Sequence, residues 1–288
     1  MILQVVFNAL VQTAIYMIMA LGLTLIFGVM KIPNLTHGVM YATGAFIHYT
    51  LVEFLGVPFI PALFVAALAT FCLGGVIERV FFRRVAAGGS PVIAIICGIG
   101  LSTVIVNVIT NVWGAWPLRI HSPFSRILMV GESAISLHSV VIVIVALVIT
   151  VLLYALLKWT KFGCAVRAVS QDREEASLIG VNANTVGLVT FATGTMLAAV
   201  GGMFTAPIVA ATPSMGGNAE IMGFAIIILG GLGSFGGAIV GAFLLGYVDT
   251  FVTTYISGGW GGAVAFVFMI IVILLRPSGL FGKKGRST

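Results

Sequence analysis

Side chains able to do chemistry are few and scattered in this 288-residue sequence. The four histidines, His37, His48, His121 and His138, all precede residue 139. Ser234 lies far downstream in a glycine-rich run, so a Ser–His nucleophilic pair would have to assemble across distant halves. That argues against a hydrolase. Cys72, Cys97 and Cys164 are odd in number and scattered, which suggests neither a disulfide framework nor a metal site. No G-x-x-x-x-G-K-[ST] phosphate loop is present, so the chain is not expected to hydrolyse ATP itself. His37 is tempting as a proton relay. With no carboxylate near it in sequence, an interhelical hydrogen bond is the preferred reading. No catalytic residue and no metal ligand is assigned, and no cofactor is expected on this chain.

Three of the eight acids, Asp172, Glu174 and Glu175, fall together in residues 158–184. Lys158, Lys161, Arg167 and Arg173 accompany them, and long apolar runs flank the stretch on both sides. Asp172 can cap a helix, with Glu175 three residues on as an acidic capping box. All three acids favour the positive end of the helix dipole. Ala176, Ser177, Leu178 and Ile179 follow, and Gly180 can take the positive φ of a C′ residue. The result is a helix of roughly two turns, too short to be stable alone. It needs a surface to dock on, either its own protein or a partner in the surrounding water.

Composition supplies the elements around it. The chain is 60% hydrophobic and 8% charged, with mean hydropathy +1.20. A soluble domain carries about 25% charged residues. The expected fold is an all-α, polytopic membrane protein. It has about eight hydrophobic segments, at least one of them broken or re-entrant, in a single domain over residues 1–288. A β-barrel would show alternating segments of about ten residues, and none is visible. The net charge of +6 is not a nucleic-acid signal. Eleven of the fourteen Lys and Arg lie in three groups at segment edges. These are Arg79, Arg83 and Arg84; the four of the 158–184 loop; and Arg276, Lys283, Lys284 and Arg286. By the positive-inside rule all three groups, including the 158–184 loop and the C-terminus, are cytoplasmic.

In chain order, residues 5–30 form a first span with a polar face of Gln4, Asn8, Gln12 and Thr13. Pro33 breaks it, and Asn34 or Thr36 can cap the next helix. Further spans run to about Leu55 and from Phe59 to Ile77, where Glu78 and Arg79 are expected to pair. Residues 91–113 carry Ser102, Thr103, Asn107 and Asn111 at helical spacing; such groups must face other helices or a path. Residues 117–138, with Arg119, His121, Arg126, Glu132 and His138, form the longest outer loop. It is either a landing area for an outside partner or a plain loop. Ser139–Leu157 reads as a lipid-facing span. Residues 186–210 carry Gly194, Ala198, Gly201 and Gly202, small residues for close packing. Asp249, Glu53 and Glu220 read as isolated acids near span ends.

The run Gly230 to Gly237 holds five glycines and cannot be continuous stable helix. Irregular backbone in lipid must be buried or line a cavity. Counting of membrane crossings predicts a re-entrant pair of half-helices within 219–256, turning at 230–237; the alternative is one further short span. With the break at 31–38, the chain has two interruptions, a pointer to a transport path. The path candidates are Asn34, Thr36, His37, Gly38, Gly230, Gly231, Gly233, Ser234, Gly236 and Gly237.

Four separated motifs carry a family resemblance over roughly residues 15–282. Glu174-Glu175-Ala176-Ser177-Leu178-Ile179-Gly180 resembles the "EAA…G" loop of ABC importer permeases. Its lead-in Gly163-Cys164-Ala165-Val166-Arg167-Ala168 looks like that of branched-chain amino acid (LivH/LivM-like) permeases. Gly22-Leu23, Ile26-Phe27-Gly28 and Asn34 to Gly38 resemble "GL..IFG…..NFAHG", with Leu35 and Thr36 where Phe and Ala are usual. The glycine run and the ending Arg276-Pro277-Ser278-Gly279-Leu280-Phe281-Gly282 complete the match, closest to LivH-like chains.

The resemblance implies the inner-membrane permease of an ATP-driven importer in a bacterial plasma membrane. It makes Arg167, Asp172, Glu174, Glu175, Ala176, Leu178 and Gly180 the residues coupling to an ATPase. Implied partners are a second, LivM-like permease chain or a second copy, two cytoplasmic ATPases that use ATP and Mg, and an external substrate-binding protein. Branched-chain amino acids are the default cargo, with other amino acids, amides or small carboxylates open. The competing reading is a passive channel or secondary transporter for a small polar solute. It explains the glycine breaks but not the capped acidic helix.

Overall fold

The computed structural model describes residues 2–87, 91–131, 133–256, 258, 260–276 and 279–282. Glu132, Pro277, Ser278, Lys283, Lys284 and Arg286, named above, lie outside the described residues. Helix α1 (Ile2–Met30) runs through the middle of the molecule. Beyond Gln4, Asn8 and Gln12 it is overwhelmingly apolar, and every residue from Thr13 to Ile26 is buried, as expected for a helix apolar on most of its faces. Four helices surround it: α6 (Leu137–Trp159), α9 (Ala183–Val209), α10 (Met215–Gly230) and α11 (Phe235–Tyr255). Close approach to α9 is made possible by paired glycines. A Cβ on Gly22 would stand 2.7 Å from the Gly194 carbonyl oxygen, and one on Gly194 2.8 Å from that of Gly22.

α1 ends where Lys31 turns to positive φ. The chain then doubles back, and α2 (His37–Tyr49) starts beside the middle of α1 rather than at its end. His37 Nε2–H donates to the Met19 carbonyl at 3.2 Å, about 16 Å along the axis from the end of α1. Residues 31–36 are therefore non-helical backbone that passes from exposed Lys31 to buried Thr36, and α2 is a partial helix. It continues through a π-helical turn, Thr50–Phe54.

A second π turn, Glu78–Phe82, joins α3 (Phe59–Ile77) to α4 (Arg83–Ala87). It alters the expected ion pair. Glu78 binds Arg83 at 3.0 Å rather than Arg79, because a π turn brings residues five apart onto one face. Glu78 is buried, so this is no surface contact.

α5 (Pro91–Trp113) and α6 lie at the periphery and are largely exposed, as lipid-facing spans would be. Between them stands a short hairpin of β1 (Ile127–Val130) and β2 (Ser133–Ser136). His121 is tied across this loop, its N–H and Nδ1 both meeting Glu53 Oε1 near 3 Å. After α6 come α7 (Lys161–Gln171) and α8 (Arg173–Leu178), then α9. The last helix among the described residues is α12 (Gly261–Leu275).

Among the described residues six helices are long and apolar enough to cross a membrane, and two shorter apolar ones, Met215–Gly230 and Gly262–Leu275, join them. The expected polytopic all-α fold is present. The glycine run does turn the chain, at Gly231 to Ser234 between α10 and α11. The pair is unequal, however. α10 has 16 residues and α11 has 21, so α11 is a full-length helix rather than half of one.

Candidate functional site

Two sites stand out, one at an end of the bundle and one at its mid-height. The end site is the α7–α8 loop. Thr160 caps α7, accepting from the Gly163 amide at 3.0 Å. The apolar side of α7, Val166 and Val169, packs with Ala176, Ala183, Val186 and Val29 of α1. Asp172 caps α8, its Oδ1 accepting from the amides of Glu174 and Glu175 at 2.8 and 3.0 Å. The amides of Glu175 and Glu174 hold the Asp172 carboxyl below the usual carboxylate range. Gly180 ends the helix at φ +86°. Asp172 and Gly180 close α8 as expected, but the capping box is only half formed, because the Asp172 amide donates to the Ala168 carbonyl rather than to Glu175.

Burial sorts the coupling candidates. Ala176 faces inward, while Leu178 is 87% and Ile179 76% exposed. Two large apolar side chains thus stand unprotected at the tip of a rigidly capped helix. Glu174 and Glu175 are exposed beside them. Arg167 is committed elsewhere, its guanidinium bonding the Leu157 carbonyl at the end of α6.

The mid-height site is the break before α2. Neither expected cap bonds a first-turn amide of α2 with its side chain. Asn34 Oδ1 accepts from the Thr36 amide and hydroxyl, closing a local turn. The carboxyl group of Glu220, from α10, instead lies against the first amides of α2, at His37 and Gly38. Its oxygens suit the positive end of that helix. Glu220 is therefore not an isolated acid. Nor is Asp249, whose carboxylate accepts from Tyr16 at 2.8 Å, or Glu53, held by His121. His37, fully buried, makes the interhelical bond expected of it.

Three buried polar atoms around this break have no hydrogen-bond partner among the described residues: Asn34 Nδ2, His37 Nδ1 and Glu220 Oε1. Unsatisfied buried polar groups are rare and call for an explanation. Beside them is a groove of about 310 Å³, walled by Glu220 and Leu35 on one side and by α5 on the other. Ser102, Thr103 and Asn107 of α5 line it. Thr103 and Asn107 also bond back to their own helix, through Ile99 O and Thr103 O.

The glycine run lies apart from this groove, toward the α8 end. A Cβ on Gly233 would lie 3.3 Å from Gly28 Cα, near the end of α1. The C-terminal segment docks on the same turn, with the Leu280 and Phe281 amides donating to Leu229 O and Gly230 O. Gly230 and Gly237 pack backbone to backbone between α10 and α11. Ser234 caps α11 through the Gly237 amide. The sequence candidates thus divide. Asn34 to Gly38 stand at the mid-height site, while Gly230 to Gly237 build a structural joint. Glu220, as the counterpart of the α2 break, was missed. Its partner amides are remote in sequence, and only its position inside an apolar run hinted at it.

This architecture defines a class: a multi-pass helical membrane protein with a partial helix opening at mid-height. The chain belongs to the family described as "Branched-chain amino acid transport system / permease component", whose profile matches residues 5–273. It is a membrane permease component of the ABC-transporter type, and its relatives are transport subunits rather than enzymes. It is 30% identical to the high-affinity branched-chain amino acid transport system permease protein LivH of Escherichia coli K12, over 98% of this chain and 96% of that one. It is 32% identical to BraD, a permease protein of a high-affinity branched-chain amino acid transport system in Pseudomonas aeruginosa, over the same shares. A xylose transport system permease protein, XylH of Haemophilus influenzae, matches at 32% identity over only 37% of this chain and 30% of its own. Among solved structures, PsaBC from Streptococcus pneumoniae in complex with Fab shares the fold. The TM-score is 0.52 at 15% identity, covering 95% of this chain and 92% of that one.

Proposed function

We propose that this chain is the membrane subunit of an ATP-driven importer that passes branched-chain amino acids, or a related small amino acid, amide or carboxylate. The cargo would be delivered by an external binding protein. The observation that carries the reading is α8, a doubly capped helix holding Leu178 and Ile179 out into solvent. Exposed apolar side chains on a rigid knob mark a protein-docking surface. An ATPase subunit is its proposed partner, one on each of two permease chains, with ATP and Mg handled there.

The α8 end is assigned to the cytoplasm. Arg83 reaches the Asn184 carbonyl there, and Arg276 lies beside the glycine turn, so basic groups gather at that end. The opposite end, with its β hairpin, faces the binding protein. The polar face of α5 is exposed on this chain, and polar groups in hydrocarbon need cover. A second permease chain, of the same or a LivM-like kind, would supply it. In this reading the 158–184 loop is the cytoplasmic coupling segment of a single permease domain in a bacterial inner membrane. ATP-driven movement of α8 would pass through Val29 to the end of α1 and the break that follows it.

The test is co-purification from bacterial membranes of wild type, Glu175→Arg and Gly180→Val. The expected result is an ATPase subunit with wild type and at least tenfold less with either variant. Full recovery with both variants, or uptake that persists after ATP depletion, would overturn the importer reading and favour a channel or secondary transporter.

A further inference from the structure

The groove at mid-height has a chemistry of its own. Among the described residues its one acidic wall residue is Glu220, whose Oε1 is buried with no partner there. A buried carboxyl group with one oxygen unsatisfied is a place where a positively charged donor would be stabilised. Leu35, Ile99 and Val106 form an apolar wall, and Ser102, Thr103 and Asn107 a polar one. The volume, about 310 Å³, falls at the small end of the range for ligand pockets, ~300–1,000 Å³.

The position matters as much as the lining. A helix opening at mid-height offers its amides to an anion. Here that place is already taken by the protein's own carboxyl group. A solute carboxylate arriving at the α2 start would find that helix terminus already occupied. A solute ammonium would meet an unpaired acceptor.

We infer that Glu220 and the facing wall of α5 form a subsite for the protonated amine of a small amphipathic solute, its aliphatic part against Leu35, Ile99 and Val106. This deepens the transport reading and rests on it for the solute's passage, but not for its binding. The inversion is specific: the amine, not the carboxylate, is held at the broken helix.

The experiment uses the full chain in membrane vesicles without added ATP, carrying Ser102→Cys with Cys72, Cys97 and Cys164 replaced by alanine. The labelling rate by neutral N-ethylmaleimide is read in the presence of 3-methylbutylamine or of 4-methylpentanoate. The amine is expected to slow labelling at least fivefold at a concentration where the acid does not. Adding Glu220→Gln should abolish that protection, and Glu220→Asp should keep most of it, which separates charge from a merely structural cap. Equal protection by both compounds, protection by neither, or protection surviving Glu220→Gln would overturn the subsite. Loss of ATPase co-purification leaves this readout untouched, so the two proposals fail separately.

Discussion

At the residue scale the sharpest control is Asp172. Its carboxyl is held low by two amides, so the folded group titrates below its unfolded value near 3.9. A depressed carboxylate contributes stability above the unfolded pKa and loses it as pH falls through the folded one. The cap should therefore be constant from pH 8 to 5 and fail only in strong acid. Asp172→Ala should mimic that failure at neutral pH, speeding hydrogen exchange of the Glu174 and Glu175 amides several-fold by mass spectrometry of the loop peptide. Asp172→Asn, which retains an acceptor oxygen, should recover much of the protection. Glu53 makes a different case. Its Oε1 holds the backbone amide of His121 as well as the imidazole. His121→Ala should leave the outer loop largely in place, whereas Glu53→Ala should free it. Trypsin cleavage at Arg119 and Arg126 would read the difference, and equal cleavage in both variants would refute it.

At the element scale, glycines alike in sequence have different duties. Gly231 sits at φ +103°, and a Cβ there would meet the Gly282 amide nitrogen at 2.5 Å. Gly231→Ala should cost about 1–3 kcal/mol, seen as a fall of roughly 5 °C in the detergent melting temperature. Gly236, five residues on in the same run, has open space around its Cβ position. Gly236→Ala should be neutral or slightly stabilising, since it reduces the conformational entropy of the unfolded chain without a clash in the folded one. The sequence read both as one flexible run because composition reports that a helix must break, not which backbone carries the break. The caps of α8 were legible for the opposite reason. Asp172, Glu175 and Gly180 act within one local turn, where spacing is geometry. The π turn at Glu78 was illegible, because the choice between Arg79 and Arg83 depends on one extra residue per turn. The placing of Glu220 against the start of α2 was illegible because the two come from helices far apart along the chain.

At the scale of the molecule, three of the resembling motifs converge on the end of α1. Val29 packs under α7 and α8, Lys31 Nζ donates to the Gln171 carbonyl at 3.3 Å, and Gly28 abuts Gly233, whose turn carries Leu280 and Phe281. From that hub residues 31–36 lead directly to the α2 start and Glu220. The sequence showed the motifs but not their meeting, since convergence is a property of the packed bundle. A joint of this kind should separate docking from work. Val29 contacts the inner side of the loop, away from the exposed Leu178 and Ile179, so Val29→Ala should leave ATPase co-purification intact. It should loosen the link between loop and helix, so that a transporter reconstituted with this variant hydrolyses ATP at near the wild-type rate while solute uptake falls at least fivefold. Lys31→Ala, which removes a solvent-exposed bond, should have a smaller effect in the same direction, because exposed polar contacts contribute little. If uptake and hydrolysis fell together in Val29→Ala, the hub would be a docking element. If neither changed, the movement would have to reach the α2 break by another route, such as α9, which packs on both α7 and α2.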